Sequence, residues 1–378
     1  MQMDLVLKGA RVIDPANGLD QECDLGFAEG RVAEIGSELR GTEERDLRGQ
    51  IVCPGLIDLH THVYWGGTSL GIDAEAFCRT CGVTTAVDTG SAGPANFAGF
   101  RSHVIDRSEV RILAFLHVSF AGVFGFGKEV HVGESEDIRM MAPRAARQVA
   151  EENRDVIVGI KVRLGRHASG DQGIAPLAFA MDVAEETGLP VMAHIDEPPP
   201  SYGELVDRLR PGDILTHAFR PFPNSPVQGQ GRIREEVLAA RQRGVLFDIG
   251  HGMGSFSFKT ARALLAQGFQ PDTISSDIHE YCINGPAYDQ TVTMSKFLCM
   301  GMEIGEVIGA STEAAARALR RPELGHLGPG AVGDATVLRI DRGRFDYEDV
   351  EGERLIGDRR IFSTGVVIGG KWWWPREV

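Results

Sequence analysis

Between residues 51 and 277 the chain alternates short apolar runs with longer helix-like stretches, a rhythm that few folds accept. An opening run through Ile51, Val52, Leu56 and Ile57 is followed by runs at 83–88, 111–116, 156–162, 190–194, 214–217, 245–249 and 273–277. Helical patterns at 142–153, 175–187 and 234–243 fall between them. Apolar strands that alternate with helices must pair in parallel, because each helix carries the chain back across the sheet. Eight such strands predict an α/β architecture, a (β/α)8 TIM barrel, with an open doubly wound sheet as the alternative. A barrel gathers the C-terminal ends of its strands on one face, so chemistry is expected from the residues there.

Those ends carry a consistent set. His60 and His62 close the opening run one residue apart, so their imidazoles leave the strand on the same side while Thr61 faces the other. Such a pair can grip one cation through ring nitrogens. Lys161, His194, His217 and Asp277 end later runs. Singly, each has an ordinary reading as a core histidine, a snorkelling lysine or a helix cap. Six metal-compatible or ionisable residues at five strand ends predict a metal-dependent active site instead.

The flanking segments read differently. Short strands separated by turn residues occupy 4–50, and glycine-bounded strands return at 333–338 and 365–371. The expectation is a small β-sandwich domain built from residues 1–53 and 331–378, around a barrel of 54–330. A formal net charge of -14 without any Lys/Arg block argues against nucleic-acid partners, and an anionic substrate would need locally placed arginines. The N-terminus lacks a basic and apolar leader, and no apolar run approaches the ~18 residues that cross a bilayer. A cytoplasmic protein without a membrane partner is expected. The six cysteines, Cys78-x-x-Cys81 included, are dispersed and read as reduced, buried thiols. Trp372, Trp373 and Trp374 are expected in the core of the terminal domain, or at a subunit contact of a homo-oligomer.

With this ordered set of strand-end residues, the chain resembles the amidohydrolase superfamily of metal-dependent hydrolases along nearly its whole length. The resemblance implies two divalent metal ions, with Zn2+ the preferred identity, and a carbon dioxide-derived carbamate on Lys161 that bridges them. It further implies His60, His62 and Asp277 on one metal and His194 and His217 on the other. A carbamate is an oxygen donor like a carboxylate and can span two metals, which together acidify a water to hydroxide. Asp277 would orient that hydroxide and carry its proton to the leaving group.

Three branches of the superfamily compete. His194-Ile195-Asp196-Glu197 resembles the His-x-x-Glu of one-metal nucleobase deaminases, whereas Lys161 has no role in such a site and the prolines at 198–200 steer Glu197 to the rim. Dihydroorotases carry an arginine two residues beyond the His-x-His pair, where this chain has Tyr64. The closer resemblance, in Lys161-Val162-Arg163 and in His194 followed by prolines, is to the amidohydrolase/deacetylase group. It implies cleavage of an amide or ester bond in an N-acyl or O-acyl derivative of a small carboxylic acid. Arg163 and Arg220 are the candidates for the carboxylate, with His251 and Tyr64 as further substrate contacts. A catalytically inactive binding protein on the same fold is the reading from another class, and it conflicts with six filled ligand positions.

Overall fold

The computed structural model describes residues 2–373, so Trp374 lies outside the described residues. Two sheets organise it. The first takes β1 (Met3–Asp14), β2 (Leu19–Ala28), β3 (Arg31–Gly36), β4 (Gly41–Asp46) and β5 (Ile51–Pro54) from the start of the chain. The second is built from β6 (Leu56–Thr61), β7 (Val83–Thr89), β8 (Arg111–His117), β9 (Ile157–Leu164), β10 (Val191–Ile195), β11 (Ile214–Leu215) and β12 (Leu246–Phe247). The chain then returns to the first sheet with β13 (Ala335–Glu348), β14 (Arg354–Ile368) and β15 (Lys371–Trp372).

The second sheet is parallel throughout, with neighbours in chain order from β6 to β12. Its strands are buried on both faces because helices such as Pro143–Glu152, Ala175–Thr187 and Glu235–Arg243 cover the outside. The eighth expected strand, 273–277, forms no regular ladder. Thr273 bridges Asp248 beyond β12, and Ile278 bridges Thr61 at the end of β6, so this segment lies between the two edges and the sheet curls round to meet itself.

The opening apolar run is two strands rather than one. Gly55 divides it, donating its N–H to Asp334 O at 3.0 Å, and a Cβ there would collide with Thr84 Oγ1. β5 consequently pairs with β1 and β13, while β6 starts the parallel sheet. A second correction concerns the terminal segments. Where a β-sandwich was expected, their strands join in one eight-stranded mixed sheet, in which β4 and β5 lie parallel to β1. Leu5, Leu7, Val12, Phe27, Val52, Val337 and Val367 fill the core of that sheet.

Cys78 and Cys81 are free, fully buried thiols on the helix Ala74–Cys81. Asp73 caps that helix by accepting the N–H groups of Glu75 and Ala76, and Gly82 ends it at φ +79°. Trp372 and Trp373 stack against this chain's own Arg45 and Arg79. Among the described residues no helix is long and apolar enough to cross a membrane.

Candidate active site

Because β6 has period two, His60 and His62 emerge on one side at the mouth of the curled sheet, where Asp277 meets both. Asp277 Oδ1 lies 3.2 Å from His60 Nε2 and 3.4 Å from His62 Nε2. Lys161, from β9, places Nζ 3.4 Å from His60 Nε2. The rings of His194 and His217 sit 4.5 Å apart, and His217 is 5.0 Å from His60. All six side chains are buried. His217 and Asp277 hold left-handed backbone, φ +64° and +47°, which costs a non-glycine residue about 1 kcal/mol or more and persists where the surroundings enforce it.

The hydrogen bonds behind the histidines fix their tautomers. Thr216 Oγ1 donates to Asp248 Oδ2 at 2.8 Å, so it can only accept from His60 Nδ1–H at 2.7 Å. His217 Nδ1–H donates to Gly250 O at 2.7 Å. Both Nε2 lone pairs are thereby left free, and His62, with Nδ1 2.8 Å from Ser91 Oγ, turns Nε2 towards Asp277 in the same way. Gly250 and Gly252, at φ +46° and +53°, leave room for this arrangement. A Cβ on Gly250 would crowd Thr216, His217 and His60, and one on Gly252 would strike Asp277.

Burial dominates the charges. It draws the Lys161 ammonium down to about 7 and the His62 imidazole to about 3, and it pushes the Asp277 carboxyl up to about 6. His60, His194 and His217 are likewise held well below the usual histidine range by burial. Lys161 has no carboxylate partner among the described residues, where Nζ touches His60 Nε2 and, at 3.5 Å, Met192 Sδ. His194 Nε2 is buried without a hydrogen-bond partner. Converging imidazole lone pairs, a carboxylate and an orphaned ring nitrogen suit a divalent cation, and His60, His62 and Asp277 are close enough to share one.

A cavity of about 260 Å³ opens above these groups, room for a small molecule. Leu70, Val123, Phe126 and Met253 give it apolar walls, and Arg163, Arg220, Glu197 and His279 add polar ones. Arg163 is already paired, its Nη1 lying 3.0 and 3.2 Å from the oxygens of Glu134, whose side chain is 5% exposed. Arg220 is buried, donates Nη1 to Ile195 O, and has no partner for Nε. Glu197 is exposed at the rim.

Tyr64 and His251 do not line the cavity. Tyr64 stacks on Phe100 at 4.7 Å and donates its hydroxyl to Asn96 O, which turns it outward. His251 is drawn away by Lys296, whose Nζ lies 2.7 Å from its Nε2. Sequence reading also passed over Glu134, His117, Asp248 and His279. His117 does end an apolar run, at β8, and Asp277-x-His279 repeats the spacing of His60-x-His62, so those two carried a signal. Glu134 sits in an irregular loop and carried none.

No family model matches the chain. A deacetylase from Agrobacterium fabrum is 34% identical over 377 residues, 98% of this chain and 91% of the relative. Among solved structures, a dihydroorotase superposes with TM-score 0.91 at 32% identity, covering 99% of each chain. An adenine deaminase also reaches 0.91, at 27% identity, covering 99% of this chain and all of the other. Similarity that runs the length of the chain, together with the buried histidines, lysine and aspartate gathered in one site, shows that the chain belongs to the amidohydrolase superfamily of metal-dependent hydrolases.

Proposed function

We propose that this chain is a metal-dependent acyl hydrolase that cleaves the amide or ester bond of a small N-acyl or O-acyl carboxylic acid. The observation that carries the reading is Lys161, a buried amine within β9 that makes no ion pair among the described residues and lies against His60, whose ring in turn neighbours that of His217. A neutral amine can take up carbon dioxide, and the resulting carbamate would bridge two divalent ions, zinc by preference. His60, His62 and Asp277 would hold one ion, and His194 and His217 the other. In the full reading residues 54–330 are a (β/α)8 barrel, with 273–277 as its eighth strand, and 1–53 with 331–378 a small β domain.

When bound, the metal pair supplies acidification of a water and polarisation of the scissile carbonyl. Asp277 accepts the proton as water attacks the acyl carbon, then delivers it to the departing nitrogen or oxygen as the bond to the acyl carbon breaks. The products are the acyl group's acid and a free amine or alcohol. Arg220 holds the substrate carboxylate. Its guanidinium is buried and makes no ion pair among the described residues, whereas Arg163 is already occupied by Glu134. The full-length match to a deacetylase supports this reading, and the exposed position of Glu197 counts against the deaminase alternative.

Purified protein is expected to hold close to two divalent ions per chain, and to hydrolyse an N-acetyl or O-acetyl α-substituted acid far faster than its methyl ester. Removing the guanidinium with Arg220→Met should cost about 2 to 5 kcal/mol of substrate binding, and Arg163→Met less. Equal rates for acid and ester would overturn the carboxylate assignment. Ammonia release from a nucleobase panel would establish deamination instead.

A further inference from the structure

His279 takes no part in the ligand set above, and the structure gives it a defined donor. The imidazole is 4% exposed and lines the cavity, with its ring 6.0 Å from that of His62. Its Nδ1 lies 3.2 Å from the backbone nitrogen of Tyr281, which has only an N–H to offer. Nδ1 must therefore accept, and the ring's proton sits on Nε2. That Nε2 has no hydrogen-bond partner among the described residues. The ring is fixed from behind by the Tyr281 contact and flanked by Phe126 and Tyr281, at 6.2 and 6.0 Å. An oriented N–H on a ring that lines the cavity, with no protein acceptor among the described residues, can be met by an acceptor of the cavity's occupant.

We propose that His279 is a catalytic residue whose Nε2–H donates a hydrogen bond to the acyl oxygen of the substrate as that oxygen gains negative charge. The assignment rests on the acyl-hydrolase reading. Donors already aimed at such an oxygen stabilise the transition state more than the ground state, because no solvent has to reorganise during the reaction. Asn and Gln separate the two ring nitrogens. His279→Asn keeps an acceptor near Nδ1 for the Tyr281 N–H and removes the distal donor, whereas His279→Gln reaches to the Nε2 position with an amide N–H.

The test compares wild type, His279→Asn and His279→Gln for metal content, for turnover of an acetylated α-substituted acid, and for calorimetric affinity towards a phosphinate mimic of the tetrahedral state and towards the product acid. His279→Asn is expected to keep its metal, to lose about 10²- to 10³-fold in kcat with KM changed by less than about threefold, and to bind the phosphinate correspondingly more weakly while binding the product normally. His279→Gln should recover a large part of the loss. Wild-type kcat in His279→Asn, metal loss in that variant, or equal weakening for phosphinate and product would each overturn the assignment. A wild type inert towards every acyl acid would instead overturn the reading beneath it.

Discussion

Lys161, within β9, and Lys296, in the helix Gln290–Cys299, are both wholly withdrawn from solvent, and burial draws both ammonium groups down to about 7. Their surroundings are opposite. Lys296 Nζ meets His251 Nε2 at 2.7 Å, Pro286 O at 2.9 Å and Glu348 O at 2.7 Å. His251 Nδ1 lies 3.0 Å from Gly252 O, so its proton is there and its Nε2 accepts. Three N–H bonds thus find three acceptors, and together they tie the helix to the loop after β12 and to the β13–β14 hairpin. Lys161 meets a ring nitrogen and a thioether and makes no ion pair among the described residues. A lysine whose donors are all used holds a fold together; one left short of partners is, in the function proposed above, free for chemistry.

The largest effect expected from this contrast is on catalysis. Lys161→Ala should lower turnover by about 10³-fold or more, roughly 4 kcal/mol of transition-state stabilisation, while thermal unfolding of the metal-free protein stays where it was or moves up. Stability does not suffer because no well-formed hydrogen bond is lost and a costly buried amine is removed. A short carboxylate such as acetate should partly restore activity by standing in for the bridge. Undiminished turnover, or a protein that no longer folds, would break the contrast from this side.

Lys296→Met is expected to do the reverse. Leaving three buried acceptors without a donor should cost about 3 kcal/mol of stability, read from denaturant unfolding. Activity per folded molecule should change little, since the side chain does not reach the cavity. A normal unfolding midpoint would mean that the three contacts contribute nothing net. A large loss of turnover in fully folded protein would make Lys296 part of the catalytic apparatus.

The same contrast explains what the sequence disclosed. Candidate ligands at the ends of apolar strands are visible in one dimension because a strand's period of two tells which side chains share a face, as with His60 and His62. Six of the site residues and the strand–helix alternation were legible on that ground. Partners joined only by closure of the chain were not: Glu134 reaches Arg163 across 29 positions, and Lys296 reaches Glu348 across 52. Hence Arg163 read as a free carboxylate binder and His251 as a substrate contact, although each was already engaged. Gly55 shows a subtler limit, because the need for a small residue there comes from Thr84 on a neighbouring strand.

The smallest and most discriminating effect concerns pH. Two influences oppose each other at Lys296, since burial disfavours its charge and three acceptors favour it. With burial prevailing, the folded value is about 7, below the ordinary 10.5, so between those limits the native state binds fewer protons than the unfolded one. Stability then rises with pH across that window and is constant below it, where both states carry the proton. Lys296→Met cannot titrate. The difference in unfolding free energy between wild type and variant should therefore widen as pH climbs above about 7 and stay level below it, in urea titrations at matched ionic strength. A difference that stays flat up to about pH 9 would show the acceptors holding the ammonium against burial. That outcome would sharpen the comparison with Lys161, for it would make the hydrogen-bond shell alone sufficient to keep a charge inside this fold.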